Sequence, residues 1–225
     1  MGYSLNIGDN EYELPADILI DTWVNLNRNS LNHYLWLNSV YGIPFDEIKI
    51  IPENTKTMCL ALISALLTPD WKPMTKEIKG CTLMNFDDMT LGEFIDMEVY
   101  IDDYFTNYSA MIKILYGLED TSDVHIGEVH SAMKYFLTWR LMLYKQYKNL
   151  FDIDIEDDTI VEVQQDKRVK PAHQWYDVVM TLADGKFLNM DDVTSKPLIQ
   201  SLNWLAWNKD KVRAEIQQVR NNTRK

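Results

Sequence analysis

Residues 85–116 read NFDDMTLGEFIDMEVYIDDYFTNYSAMIKILY and carry a well-formed helix start. Thr90 is placed to cap a helix, and Glu93 stands three residues later, where its side chain can reach back and complete a capping box. Met89 and Phe94 are spaced to pack over the first turn as a hydrophobic staple. Apolar residues then recur at helical intervals. The segment therefore predicts a helix that starts at a defined residue.

The same stretch is strongly acidic. Asp96, Glu98, Asp102 and Asp103 follow the predicted cap, and residues 87–103 contain no Lys or Arg. One interpretation is an acidic face that binds a partner, and the other is an ordinary solvated helix face, which is the commoner role of a run of like charges. Both interpretations place these carboxylates on the surface.

The rest of the chain is also mainly helical in pattern. Residues 3–14 alternate loosely around Gly8 and predict a small hairpin, and Gly42 with Pro44 ends a helical stretch. We therefore expect a mainly α, bundle-like fold with a minor β-hairpin or short strands and a long amphipathic helix at the end. The other helical patterns cover residues 17–40, 57–67 and 129–147.

Proline, glycine and charge suggest where the domains divide. Residues 71–81 form a polar connector, so we expect an N-terminal helical unit over residues 1–70, a linker over residues 71–84 and a helical main domain over residues 85–225. Residues 151–170 alternate Ile and Val with acids and are expected to form an acidic insert with a strand or hairpin.

Composition limits the classes of partner. The 225 residues are 46% hydrophobic, which is enough for a real core, and the formal net charge of −12 repels phosphate backbones and anionic lipids. Nucleic acid and membranes are therefore not expected partners. The first ten residues do not resemble a signal peptide, and the longest apolar runs are too short to cross a bilayer, so we expect a cytoplasmic protein with Cys59 and Cys81 as free buried thiols.

No pattern in the sequence supports catalysis, a metal or a cofactor. His125 and His130 are five residues apart, which points the rings in different directions on a helix, unlike the four-residue offset of a zinc-binding helix. The acids from Asp152 resemble a calcium loop, but Asp157 stands where that loop needs Gly and Val163 where it needs Glu. Glycine-rich phosphate loops, nucleophile elbows and CxxC pairs are missing from the sequence. We expect a protein that is not an enzyme.

The C-terminal region has heptad spacing. Ser195 is a plausible N-cap, and Pro197 lies where the first turn tolerates it. Apolar residues at heptad spacing form a stripe along one face of a helix. This stripe favours either a helix lying along its own domain, which is the simpler interpretation, or a short coiled coil. The residues at alternating intervals of four and three are Leu198, Leu202, Leu205, Lys209, Val212, Ile216 and Val219.

The end of the chain is basic, whereas the rest is acidic. Residues 209–225 hold six basic and two acidic residues, a net charge of +4, so the preceding residues carry −12 − 4 = −16. This opposition suggests a head-to-tail contact between neighbouring copies, the basic helix of one against the acidic face of the next. The candidate interface residues are Asp96, Glu98, Asp102, Asp103, Trp204, Trp207, Val212, Arg213, Ile216 and Arg220.

Three segments carry a resemblance to a known class of protein. FDDMTLGEFIDMEVYI (residues 86–101), followed by ILYG (residues 114–117), resembles a tailed-phage pattern in which an MT-x-GEFIDLE helix start precedes an ILY helix. Met97 stands where that pattern has Leu. Residues 42–55 and 175–207 are similar to the N-terminal and C-terminal parts of the same kind of protein, which occurs in crAss-like and related phages.

The resemblance implies a virion structural or tail-assembly protein, present in the virion and, during assembly, in the host cytoplasm. Its implied partners are other phage structural proteins and further copies of itself, and the shared motifs include no catalytic residue. Two alternatives stay open: an assembly chaperone that does not remain in the virion, and a cytoplasmic helical binding or regulatory module.

Overall fold

The computed structural model of the chain describes residues 4–15, 17–28, 32–66, 75–151 and 172–223. Within these ranges the protein is mainly α-helical, with two short antiparallel strand pairs and a long C-terminal helix, which confirms the expected fold class. The strands are β1 (Ser4–Ile7), β2 (Asn10–Glu13), β3 (Glu77–Ile78) and β4 (Cys81–Thr82). The helices are α1 (Ile20–Arg28), α2 (His33–Tyr41), α3 (Phe45–Ile50), α4 (Glu53–Leu66), α5 (Leu91–Tyr100), α6 (Tyr104–Tyr116), α7 (Ile126–Gln146), α8 (Lys148–Phe151), α9 (Ala172–Leu182), α10 (Met190–Thr194) and α11 (Leu198–Thr223).

The chain divides into two compact units, and the boundary differs from the one expected from sequence. The first unit comprises residues 1–83 and 115–135, and the second comprises residues 84–114 and 136–225. The segment 115–135 therefore belongs with the N-terminal residues. The expected linker overlaps the β3–β4 hairpin, in which Ile78 is fully buried, and the expected insert 151–170 lies almost wholly outside the described residues, with only Phe151 described, as the last residue of α8.

The first unit starts with the expected hairpin. β1 pairs with β2 in antiparallel register, with Ile7 opposite Asn10, and Gly8 in the turn has a φ of +58°. After α2, Gly42 takes up the left-handed conformation and its N–H donates to the Asn38 carbonyl at 2.9 Å, which ends the helix as expected. Local turn chemistry thus determines where both elements end.

Backbone hydrogen bonds tie residues 115–135 into the first unit. The Ile20 N–H donates to the Val124 carbonyl at 2.9 Å, and the Ile126 N–H donates to the Ile18 carbonyl at 2.8 Å. The Ser131 hydroxyl accepts from the Thr75 N–H at 2.7 Å. These bonds join positions that are more than 50 residues apart in sequence, so no local pattern could predict the pairing.

The second unit is built around aromatic side chains. Phe94 on α5 is fully buried, and its ring lies edge-on to that of Trp175 on α9, with 5.4 Å between the ring centroids. Phe86 stacks on Trp139 of α7 at 4.7 Å. Edge-to-face and offset contacts of this kind add to the stabilisation from buried area. The aromatic cluster therefore holds α5, α7 and α9 together.

The capping box at the start of α5 is present as expected. The Thr90 hydroxyl accepts from the Glu93 N–H at 3.2 Å, and the Glu93 carboxylate accepts from the Thr90 N–H at 2.8 Å. Met89 and Phe94, the expected staple, are both fully buried. The start of α7 has a similar bond, in which Glu128 accepts from the His125 N–H at 2.8 Å.

Candidate interaction surface

The start of α11 is held against the start of α5. The Leu198 N–H donates to the Met89 carbonyl at 2.8 Å, and the Leu91 N–H donates to the Lys196 carbonyl at 2.9 Å. Ser195 is not the N-cap of α11, because it closes the C-terminal end of α10 and the new helix begins only at Leu198, after Pro197. The pairing of two helix starts replaces the side-chain cap that the sequence suggested.

The first half of α11, residues 198–209, packs into its own unit. Leu198 and Leu202 are fully buried and Leu205 is 9% exposed. The Asn203 side-chain oxygen accepts from the Tyr147 hydroxyl at 2.7 Å. This half of the heptad stripe is therefore core, in agreement with the simpler of the two interpretations from sequence.

Lys209 marks the point where α11 leaves the packed core. Its ammonium group donates to the carbonyl oxygens of Asn149 and Leu150 in α8, the latter at 3.4 Å. A cation is favourable there because the last carbonyls of a helix carry partial negative charge. A cleft of about 100 Å³ lies beside this contact. It is smaller than the several hundred Å³ of typical small-ligand sites, so this cleft does not suit a cofactor.

Beyond Lys209 the helix is exposed. All residues from 210 to 222, called here the distal half of α11, are exposed. Val212 is 43% exposed, Ile216 47% and Val219 65%. These three residues continue the heptad stripe of the buried half. The distal half thus carries an apolar stripe that the described part of its own chain leaves open to solvent.

Charged residues border this stripe on both sides. Successive residues of a helix are about 100° apart, which places Arg213 and Arg220 along one border and Glu215 along the other. All three side chains are exposed. In heptad terms, Val212 and Val219 occupy d positions and Ile216 an a position, so the arginines occupy e positions and Glu215 a g position.

Trp204 and Trp207 lie on a different face of α11. They are 42% and 58% exposed, but helical geometry places Trp207 nearly opposite the apolar stripe. The Lys211 ammonium lies 5.3 Å from the centre of the Trp207 ring. The C-terminal interface candidates therefore divide into an apolar stripe with charged borders and a separate tryptophan face.

Glu98 does not belong to an exposed acidic face. Its side chain is only 3% exposed, and the Arg140 guanidinium on α7 donates to both carboxylate oxygens. The Tyr144 hydroxyl donates to the same carboxylate at 2.9 Å. Although burial alone would lower the pKa of Arg140, the hydrogen bond and charge of Glu98 outweigh it and raise that pKa. Sequence reasoning missed this pair because the cation lies 42 residues away.

The remaining acidic candidates are exposed. Asp96 lies on α5, while Asp102 and Asp103 lie in the 3₁₀ turn that connects α5 to α6. Asp103 also accepts from the Thr106 N–H at 3.4 Å at the start of α6. Its carboxylate thus has a local structural role. The exposed acidic surface is smaller than the sequence suggested, because Glu98 is not part of it. Val99, next to Glu98 on α5, is an exposed apolar residue.

Phe187 and Leu188 form an exposed apolar pair that the sequence analysis did not single out. They are 71% and 91% exposed and lie in the 3₁₀ turn between α9 and α10. Asp184 and Gly185 precede them with φ values of +55° and +70°. An Asp-Gly turn followed closely by two large apolar residues was the sequence signal for this surface.

The histidines and cysteines occupy separate environments. His125 precedes α7 and lies 3.6 Å from the Glu128 carboxylate, while His130 lies within α7. Over the described ranges, no three His, Cys, Asp or Glu side chains come together in a way that could hold a metal ion. The calcium-like acids from Asp152 lie outside those ranges. Cys59 is buried, whereas Cys81 is only partly so, and both are free thiols.

Comparisons with known proteins found no relative of this chain. No family model, no curated protein and no solved structure matches this chain. In the part of the chain that the structure describes, no helix combines the length and apolarity required to cross a membrane.

Proposed function

We propose that this chain is a non-enzymatic bacteriophage virion protein that acts through protein–protein contacts in the neck, tail or baseplate region. It would be present in several copies and bind other phage structural proteins, in the host cytoplasm during assembly and then in the virion. The proposal joins the resemblance of residues 86–101 and 175–207 to phage proteins with the exposed apolar stripe on α11.

The distal half of α11 is the observation that carries this proposal. Val212 and Ile216 are large apolar residues at which a partner could bury area, and Arg213 and Arg220 beside them can orient that partner. Exposed ion pairs contribute only about 0–1 kcal/mol each, so affinity has to come from the apolar residues, while charge sets orientation and rate.

The resembling motif itself has structural roles in this chain. Thr90 and Glu93 form the capping box, Phe94 anchors the aromatic cluster, and Gly92 lies against Thr194 of α10. Each role concerns folding and packing. This supports a protein whose shared sequence maintains a scaffold and presents a surface.

The test is a truncation that removes residues 210–225 and keeps Lys209, which holds α11 to α8. The truncated chain should fold, as judged by circular dichroism, but should fail to join particles when it replaces the full chain during infection. The readout is mass spectrometry of purified particles. The chain should be a stoichiometric component of normal particles and absent from those made with the truncated protein.

Three outcomes would contradict this proposal. If normal particles lack the chain but fail to form without it, the protein is an assembly chaperone. If particles form normally and lack it, or if its gene does not lie among portal, capsid or tail genes, a cytoplasmic binding module fits better.

A matched control is Ala214→Lys, which changes the charge on the face of α11 opposite the apolar stripe and should leave incorporation intact.

A further inference from the structure

The distal half of α11 is a preformed helix on which Val212 and Ile216 are exposed in the described part of the chain. A partner that pairs with this helix does not have to induce its formation. The unfavourable free energy of helix nucleation, which makes short isolated helices marginal in water, therefore does not weaken the pairing. The buried residues Leu198 and Leu202 and the contact of Lys209 with α8 anchor the helix at its base. Residues 210–223 correspond to two heptads and extend for roughly 21 Å at 1.5 Å per residue.

We infer that the distal half of α11 pairs in parallel with the same helix of a second copy of this chain. This inference takes its surface from the proposed function and names the partner that covers it. The pairing buries Val212 and Ile216 of each copy against the same residues of the other. A helix carrying an a/d stripe supplies the complementary knobs and holes itself, so a second copy fits it without any further element.

Charge complementarity selects the parallel orientation. In a parallel pair, a g residue faces the e residue five positions later on the other helix, which brings Glu215 of one copy to Arg220 of the other, twice by symmetry. In an antiparallel pair, e residues face e residues, which brings Arg213 or Arg220 against an arginine. The parallel arrangement therefore has two attractive pairs where the antiparallel one has repulsion.

The acidic face of a second copy is less suited to cover this stripe than its α11 helix is. Glu98 is buried and paired with Arg140, so it is not part of that face, and Asp96, Asp102 and Asp103 are charged residues that cannot cover an apolar stripe. Burying their carboxylates against Val212 and Ile216 would cost desolvation without a compensating partner. The head-to-tail contact suggested by overall charge is thus less suited to this half of α11.

The experiment is sedimentation of the full chain over a concentration series, alone and in low salt. We expect reversible self-association that Ile216→Lys weakens by roughly tenfold or more, because a charge would then enter the apolar stripe. Ala214→Lys places the same charge on the opposite face of the same helix and should associate like the unchanged protein. Circular dichroism should show the same helix content for both variants, since neither residue lies in the core.

Charge reversal tests the orientation. Arg220→Glu should weaken association by roughly two- to fivefold, the effect of exposed ion pairs, and adding Glu215→Arg should restore it. In an antiparallel pair, Arg220→Glu would instead strengthen association, because the introduced carboxylate would then face Arg213 of the other copy. That result would overturn the parallel arrangement.

Two further results would overturn the inference. One is a protein that stays monomeric at all concentrations, and the other is a self-association that Ile216→Lys leaves unchanged. Neither bears on the proposed function, since incorporation into phage particles is measured separately and the distal half of α11 could bind another phage protein instead of a second copy.

Discussion

The Arg140 guanidinium on α7 holds both carboxylate oxygens of Glu98 on α5 inside the second unit. Arg140 is 14% exposed and Glu98 3% exposed, so water screens this pair only weakly. The Tyr144 hydroxyl donates to the same carboxylate, and burial together with the charge of Glu98 raises the pKa of Tyr144. The pair joins α5 to α7 and takes one carboxylate off the surface.

Breaking this pair from one side should be costly. Arg140→Met leaves Glu98 buried with only Tyr144 as a hydrogen-bond donor among these three residues, and we expect a loss of about 3–5 kcal/mol in the free energy of unfolding. The double variant Glu98→Leu/Arg140→Met removes both charges and should be less destabilised than Arg140→Met alone. Urea unfolding measures both. A double variant whose loss equals the sum of the losses in Glu98→Leu and in Arg140→Met would show that the residues do not interact.

Thr90→Ala should remove the side-chain cap of α5. The Glu93 N–H would lose its acceptor, and we expect a loss of about 1 kcal/mol in the free energy of unfolding. Thr90→Ser keeps a hydroxyl in the same place and is the matched control. If Thr90→Ala and Thr90→Ser unfold at the same urea concentration, water accepts the hydrogen bond of the Glu93 N–H as well as the side chain does.

Gly92 is placed where α5 approaches α10 closely. A Cβ atom added at Gly92 would lie 3.2 Å from the Thr194 Cβ and from its carbonyl oxygen. Gly→Ala inside a helix ordinarily gains about 1 kcal/mol, and we expect this contact to cancel that gain. Gly92→Val should destabilise by about 1–3 kcal/mol through overpacking.

Thr194→Gly provides the control for Gly92, because it removes the Cβ atom that the new side chain would meet and leaves the close carbonyl in place. Combined with Gly92→Ala, it should recover part of the missing helix-propensity gain. Thermal unfolding compares the unchanged protein, the two single variants and the double variant. A full gain of about 1 kcal/mol from Gly92→Ala alone would show that α10 moves aside freely.

Stability should fall in alkaline solution, and Tyr116 contributes to that fall. Burial, with smaller effects of Tyr135 and Glu128, raises the pKa of Tyr116 from 10.0 to about 12. The unfolded chain therefore loses this proton at lower pH than the folded chain does. The contribution of Tyr116 to stability is fully present below about pH 10 and is lost as pH rises through about 12.

The measurement is urea unfolding at several pH values between about 9 and 12, for the unchanged protein and for Tyr116→Phe. The variant should show a shallower loss of stability over this range. Burial also raises the pKa values of Tyr41 and Tyr104, so the loss should not disappear. Identical slopes for the two proteins would mean that Tyr116 titrates alike in the folded and unfolded states.

The elements that the sequence predicted correctly depend on neighbours within one or two turns. The capping box joins Thr90 to Glu93, three residues away, and the hairpin at Gly8 depends on a turn residue that tolerates positive φ. Residues 126–146 form α7, the helix that an apolar period over residues 129–147 predicted. Local energies of this kind can be read from a sequence because the chain itself keeps the interacting groups close.

The tertiary structure determines which of these residues are buried and which are exposed. The heptad stripe of α11 runs unchanged through Leu198 and Ile216, yet one is fully buried and the other is 47% exposed. Glu98 looks like any other acid of its segment, yet Arg140 removes it from the surface. A repeating pattern records only the face of a helix. Whether that face is covered depends on residues far away in sequence, and these come together only when the whole chain folds.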